Sequence, residues 1–169
     1  MNKLCILKDM GFKISWKLMI IGLVGKDEIS SSITRNDVVE YLCDLLTNTN
    51  EQTHDIISVI CEKENDTKFD RLIKKLAHED FSNIDIQKRK WRACLLKILL
   101  NDISEDCLQG LLQLMEFWES MGDVADCPQN FPNEKTVKDY FTQESYEHNL
   151  NKNREWLQQE ISNIIELER

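Results

Sequence analysis

Five glycines and two prolines are the only strong breakers in 169 residues, and both prolines, Pro128 and Pro132, fall in one short window. Glycine and proline punctuate secondary structure more strongly than other residues. A chain so poor in them has few places to turn sharply, and its apolar residues recur mostly at helical spacing. Nothing alternates at period two over a useful length. The expected fold class is all-α.

Eight segments carry the pattern. Trp16, Met19, Ile20 and Leu23 form a stripe, with Ser15 placed to cap it and Gly25 to end it. Thr34 precedes Asp37 by three, a capping box with Asp in place of Glu, and Val38, Tyr41, Leu42, Leu45 and Leu46 follow. Ile56, Ile57 and Ile60 form a third stripe after Asn50. Phe69, Leu72, Ile73 and Leu76 form a fourth, with Asp66 as its expected cap. Ile84, Trp91, Cys94, Leu95, Ile98 and Leu99 fit one face over four turns. Ser104 is expected to open a helix with Cys107, Leu108, Leu111, Leu112, Met115 and Trp118 on one face. Asn133 is expected to cap a short piece holding Val137, Tyr140 and Phe141. Leu150, Leu157, Ile161, Ile164 and Ile165 mark the last helix. About eight amphipathic helices joined by short turns suggest a bundle or a layered stack. No repeat of matching residues recurs at a fixed period.

A chain of this length is most simply one domain, residues 1–169, able to bury about two thirds of its unfolded surface. No apolar run approaches the ~20 residues that span a bilayer. The run Leu18 to Val24 lies too far in for a signal peptide and lacks a small-residue cleavage site after it. Six cysteines are scattered, with no Cys-x-x-Cys pair. Without a secretory signal they read as reduced, and the expected location is the cytoplasm. Cys127, in a predicted loop, is the thiol expected to be most exposed.

The net charge of −9 sits in one stretch. Residues 101–150 hold eleven acids against two bases, Lys135 and Lys138, while the remaining residues balance. Concentrated acidity makes a directional field as well as a soluble surface. It centres on an acidic, proline-containing loop near residues 120–133.

Catalytic constellations do not emerge. His54, His78 and His148 stand alone, with no zinc spacing around them, and His78 at a helix end suits the helix dipole. Phosphate-cradling glycine loops are missing. Asp123 to Asp126 is too short for a calcium loop. Glu116 and Glu119 share a helical face, as do Asp102 and Asp106, but no Glu-x-x-His accompanies them. They read as a solvated acidic face. No catalytic residue, cofactor or metal site is assigned. The basic cluster Lys88-Arg-Lys-Trp-Arg92 hints at phosphate or nucleic acid, but Trp91 fits the apolar stripe. Its cations are expected to pair with the acids of residues 101–150 or to solvate a helix face, so no nucleic acid is expected as a partner.

Two stretches carry a resemblance. Ile14 to Leu23 (Ile-Ser-Trp-Lys-Leu-Met-Ile-Ile-Gly-Leu), followed by Ile29 and by Asp37-Val-Val-Glu-Tyr41, resembles the start of a bacterial family of small acidic uncharacterised proteins. So does Lys90-Trp91 with its Leu-Leu helix, then Leu111-Leu112, Glu116, an acidic turn with prolines, and Trp156-Leu157-x-x-Glu160. The family's turn tends to read Asp-Tyr-Pro after an aromatic, whereas this one reads Met121-Gly-Asp-Val-Ala-Asp-Cys-Pro128. The family looks like the immunity proteins of polymorphic-toxin systems and assigns no catalytic residue. The resemblance implies a cytoplasmic, non-enzymatic antitoxin that binds a toxin domain.

The expected function is therefore protein binding, with a basic toxin domain as the partner and no membrane. Glu116, Glu119, Asp123 and Asp126 would steer that partner, and Phe131 would anchor it. Phe117, Trp118 and Tyr140 flank the same loop, and core burial competes with an anchoring role for them. A general adaptor, or a metal-dependent enzyme with carboxylates gathered from distant helices, is the alternative.

Overall fold

The computed structural model describes residues 2–48, 54–129, 131, 132 and 140–169. Among them are eight helices: α1 (Lys3–Asp9), α2 (Trp16–Val24), α3 (Arg35–Asn48), α4 (His54–Cys61), α5 (Asp66–Glu79), α6 (Ile84–Asp102), α7 (Cys107–Ser120) and α8 (Gln143–Leu167). An isolated bridge between Lys26 and Ile29 is the only extended pairing among these residues. The fold is all-α. Two compact units divide the chain, residues 1–91 with Glu168 and residues 92–167 with Arg169, and the boundary falls within α6.

In the first unit, α2 packs on α5, while α3 packs on α1 and α4. Helix α2 starts and stops where its sequence signals lie. Ser15 Oγ accepts from the Leu18 amide at 3.1 Å, and Gly25 ends the helix at φ +81°. The capping box before α3 is reciprocal: Asp37 Oδ2 accepts from the Thr34 amide at 2.7 Å, and Thr34 Oγ1 accepts from the Asp37 amide at 3.2 Å. Arg35 then ties α3 to α5 through Asp66 and, at 3.2 Å, Asp70. Trp91 is fully buried, and its indole N–H donates to the Leu18 carbonyl at 2.8 Å.

Asp80 joins two elements. It follows α5 as its C-cap, and its side chain accepts from the Lys17 amide at the start of α2, 2.9 Å away, and from its own neighbour Ser82 at 2.8 Å. Burial alone would raise the Asp80 carboxyl, but these amides hold it below the ordinary value of 3.8. The stability it supplies is therefore complete above that ordinary value and disappears as pH falls through the lowered folded value. Asp80→Asn should cost about 1–2 kcal/mol at neutral pH. Urea midpoints of the two proteins should converge as the pH falls below the ordinary carboxyl value.

Several local expectations change. Helix α1 was not expected, yet Leu4, Ile6 and Leu7 bury on it, and the Asn2 side chain caps it. The N-cap of α5 is Asn65, one residue before Asp66. The N-cap of α7 is Asp106, not Ser104, and its carboxylate accepts from the Gln109 amide at 2.9 Å. On α4 the deeply buried residue is Val59, while Ile57 is exposed. Helix α6 does not bury a single stripe. Ile84 is exposed, and every residue from Ile86 to Leu100 is at least half-buried, as for a helix enclosed on all sides. Asn50, Asn133 and Val137 lie outside the described residues.

In the second unit α7 packs on α8. Leu111, Tyr140 and Tyr146 form a core cluster, with Cys107, Met115 and Leu150 packed against it. Gly110 makes room for this. A Cβ there would meet the Tyr146 ring and stand 2.9 Å from the Ser104 carbonyl, the same carbonyl that accepts from the Tyr146 hydroxyl at 2.8 Å. Gly110→Ala gains up to about 1 kcal/mol of helix propensity. The clash should outweigh it and leave the variant less stable by about 1–2 kcal/mol, read as a lowered urea midpoint with unchanged slope.

Candidate functional site

Helix α7 has more apolar residues than one buried face can hold. Gly110, Leu111, Leu114 and Trp118 point to the core. Leu108 and Leu112, expected on that face, are instead 47% and 39% exposed. The core positions recur every three or four residues from Cys107, which leaves Leu108 and Leu112 at their edge. Glu116 and Glu119 continue the same row and are also exposed. The outer side of α7 therefore reads Leu108, Leu112, Glu116, Glu119 at i, i+4, i+8 and i+11, one continuous stripe.

The stripe runs into an open cleft of about 730 Å³. Trp118 forms its inner wall, and Glu119, Gly122, Asp123, Cys127 and Phe131 complete it. Phe131 is 46% exposed. Of the residues expected to bind a partner, the structure thus gathers Glu119, Asp123 and Phe131 around one space. Glu116 lies a turn back on α7, outside the cleft lining. Asp126 sits on the loop, exposed, and accepts from the Trp156 indole N–H at 2.9 Å.

A buried chain of side chains holds the loop. Trp118 is 1% exposed and donates its indole N–H to Asn153 Oδ1 at 2.6 Å. Asn153, fully buried on α8, donates to Gln129 Oε1 at 3.3 Å and to the Asn149 carbonyl at 2.8 Å. Gln129, also buried, donates to the Tyr140 hydroxyl at 2.5 Å. Trp156 stacks edge-on against Trp118 with ring centroids 4.9 Å apart. Trp118 and Tyr140 are therefore supports of the cleft's walls, and Phe117 is half-buried beside them. Phe131 is the aromatic left available to a partner.

Charge around the site is unneutralised. Nine acids of residues 101–150 are described: Asp102, Glu105, Asp106, Glu116, Glu119, Asp123, Asp126, Glu144 and Glu147. All nine are exposed, and among the described residues none forms an ion pair. Two cations of the basic cluster on α6, Lys88 and Lys90, do not serve them, contrary to the expectation from sequence. Lys88 pairs with Asp27 at 2.5 Å and Glu28 at 4.0 Å. Lys90 is fully buried against Glu168. Proximity along the chain misled here, because turns fixed by the fold bring other acids closer.

Cys127 is also corrected. It is half-buried on the cleft wall, whereas Cys43 and Cys61 are exposed. Burial pushes its thiol up, against a lowering contribution from a Gln129 backbone hydrogen bond and a smaller one from Arg92. His78 lies in the last turn of α5, where a cation suits the dipole. Among the described residues, no three His, Cys, Asp or Glu side chains gather as metal ligands. No helix among them is long and apolar enough to cross a membrane.

A family model described as an uncharacterised protein conserved in bacteria matches residues 5–161, most of the chain. No curated protein and no solved structure matches it.

Proposed function

The chain belongs to the bacterial family DUF2247, and from that premise we propose that it is a non-enzymatic binding protein whose partner is a basic protein domain. The reading extends to an immunity role: the partner is a toxin domain encoded beside it, and binding in the cytoplasm blocks that domain. One observation carries the proposal. The exposed face of α7 sets two leucines in line with two unpaired glutamates and leads into a cleft with an exposed phenylalanine.

Each part has a physical task. Unpaired exposed acids set up a field that draws a basic domain in and raises its association rate. Charge alone leaves affinity modest in physiological salt. Leu108, Leu112 and Phe131 supply apolar surface that a partner would bury, and such anchors dominate interface energetics. The buried Trp118–Asn153–Gln129 chain keeps the loop in place, so little ordering cost remains on binding.

Co-expression tests this. Cells producing the toxin domain encoded by the neighbouring gene should survive when the intact chain is co-produced. A Leu108→Ser, Leu112→Ser variant should fail to protect while remaining folded, at a stability loss of about 1–2 kcal/mol read from its urea midpoint. Full protection by that variant, or no protection by the intact chain, would contradict the reading.

A further inference from the structure

The first unit holds a second concave site that the acidic surface does not explain. It is a cavity of about 480 Å³ between α2, α3, α4 and α5, within the range of small-molecule pockets. Trp16, Met19 and Tyr41 form part of its wall, and Asp55, Glu79 and Asp80 supply its carboxylates. Among the described residues no lysine, arginine or histidine lines it.

Two side chains stand out. Tyr41 is 5% exposed, and its hydroxyl bonds to no described residue. Its oxygen is open to water rather than sealed in the core, so a ligand in the cavity could reach it. Burial, with smaller contributions from Cys5 and Asp44, pushes the phenol up, so it is neutral and its oxygen can accept a hydrogen bond. Trp16 is half-buried, and its indole N–H donates to no described residue, while Trp91, Trp118 and Trp156 all donate theirs.

The carboxylates are incompletely matched. Asp80 is the best matched of the three: the Lys17 and Ser82 amides hold it, the Lys17 ammonium sits on the Ser82 carbonyl beside it, and Lys90 is near enough to feel its charge. Lys75 approaches Glu79 from outside at 3.8 Å, and His54 lies 4.0 Å from Asp55. An apolar, aromatic wall beneath a carboxylate rim is complementary to a cation carrying an apolar body. The aromatic faces would attract the charge, the rim would pair with it, and the apolar wall would take up the body.

We propose that this cavity binds a small organic cation, an ammonium or guanidinium group on an aryl or alkyl chain. The site is independent of the acidic surface of the second unit.

The test uses the full chain and 2-phenylethylammonium as the probe, with 3-phenylpropionate as an anion of similar size. The Trp16 indole resonance, assigned by its loss in Trp16→Phe, serves as the reporter. It should shift saturably with the ammonium, with a dissociation constant in the millimolar range or tighter, and stay still with the carboxylate. Asp55→Asn combined with Glu79→Gln changes two exposed side chains and should weaken the ammonium about tenfold. An unmoved Trp16 resonance, an equal response to the anion, or unchanged affinity in the double variant would overturn the proposal.

Discussion

Replacing Lys90 by Ala is expected to destabilise the first unit by about 3–5 kcal/mol. The ammonium of Lys90 is fully buried and has three acceptors for its three protons: Glu168 Oε1 at 2.5 Å, the Lys13 carbonyl at 2.6 Å and Gln87 Oε1 at 3.1 Å. Glu168 is itself largely enclosed, and the Lys13 ammonium donates to its carbonyl at 2.5 Å. Removing the cation leaves a shielded carboxylate with only the Lys13 amide, at 3.3 Å, and a buried amide oxygen with only the Ser15 hydroxyl, at 3.3 Å, which costs more than the pair ever contributed. Lys90→Met in a Glu168→Gln background should recover much of the loss, since neither charge then remains. Chemical denaturation of the three variants checks this. A loss under about 1 kcal/mol for Lys90→Ala would mean that the site is open to water.

Lys90 also shows where sequence reasoning stops. Lys88 to Arg92 looks basic from its composition, and composition cannot say that Lys90 turns inward to meet a glutamate near the far end of the chain. Local signals fared better. The Ser15 cap, the Thr34–Asp37 box and the Gly25 stop involve residues within a few positions of one another, and the structure holds each of them. Helix α1 was missed because seven residues are too few to show periodicity. On α8 the buried row runs Tyr146, Asn149, Asn153, Leu157, Glu160, Ile164. A pattern search for apolar residues skips three of those six positions, because their polar groups are satisfied only by the folded chain.

The same distinction applies to the candidate site. Glu119, Asp123 and Phe131 were legible as neighbours of one acidic loop. Leu108 and Leu112 were not, because both fit an apolar stripe as well as an exposed row. Their clue was the surplus of apolar residues on α7, eight of the twelve positions from Cys107 to Trp118. A single buried face accommodates fewer.

The second large effect concerns the network behind the cleft. Trp118→Ala should cost about 3–5 kcal/mol, since it empties a fully packed volume and strands Asn153 Oδ1. Trp118→Phe separates these causes. It retains much of the ring volume but removes the indole N–H, so the buried amide oxygen loses its donor at a cost of about 1–3 kcal/mol. A double-mutant cycle with Asn153→Ala should give a coupling of about 1–2 kcal/mol. Near-additive losses would mean that water replaces the indole donor. Because Asn153 also holds Gln129, Trp118→Phe should weaken partner binding even where the protein is still fully folded. The same loss of affinity in Asn153→Ala, whose side chain does not line the cleft, would identify the network as what keeps the loop ready.

Calorimetric titration of the neighbouring gene's toxin domain into this protein tests the central claim most directly. The comparison is between the intact chain and a variant carrying Glu116→Lys, Glu119→Lys, Asp123→Lys and Asp126→Lys, each titrated at low and at high salt. All four positions are exposed and none is ion-paired, so the variant should fold. The intact chain should bind tightly at low salt and lose at least about tenfold in affinity at high salt. The variant should show little binding at either. Equal affinity for both proteins, with the same response to salt, would contradict the account.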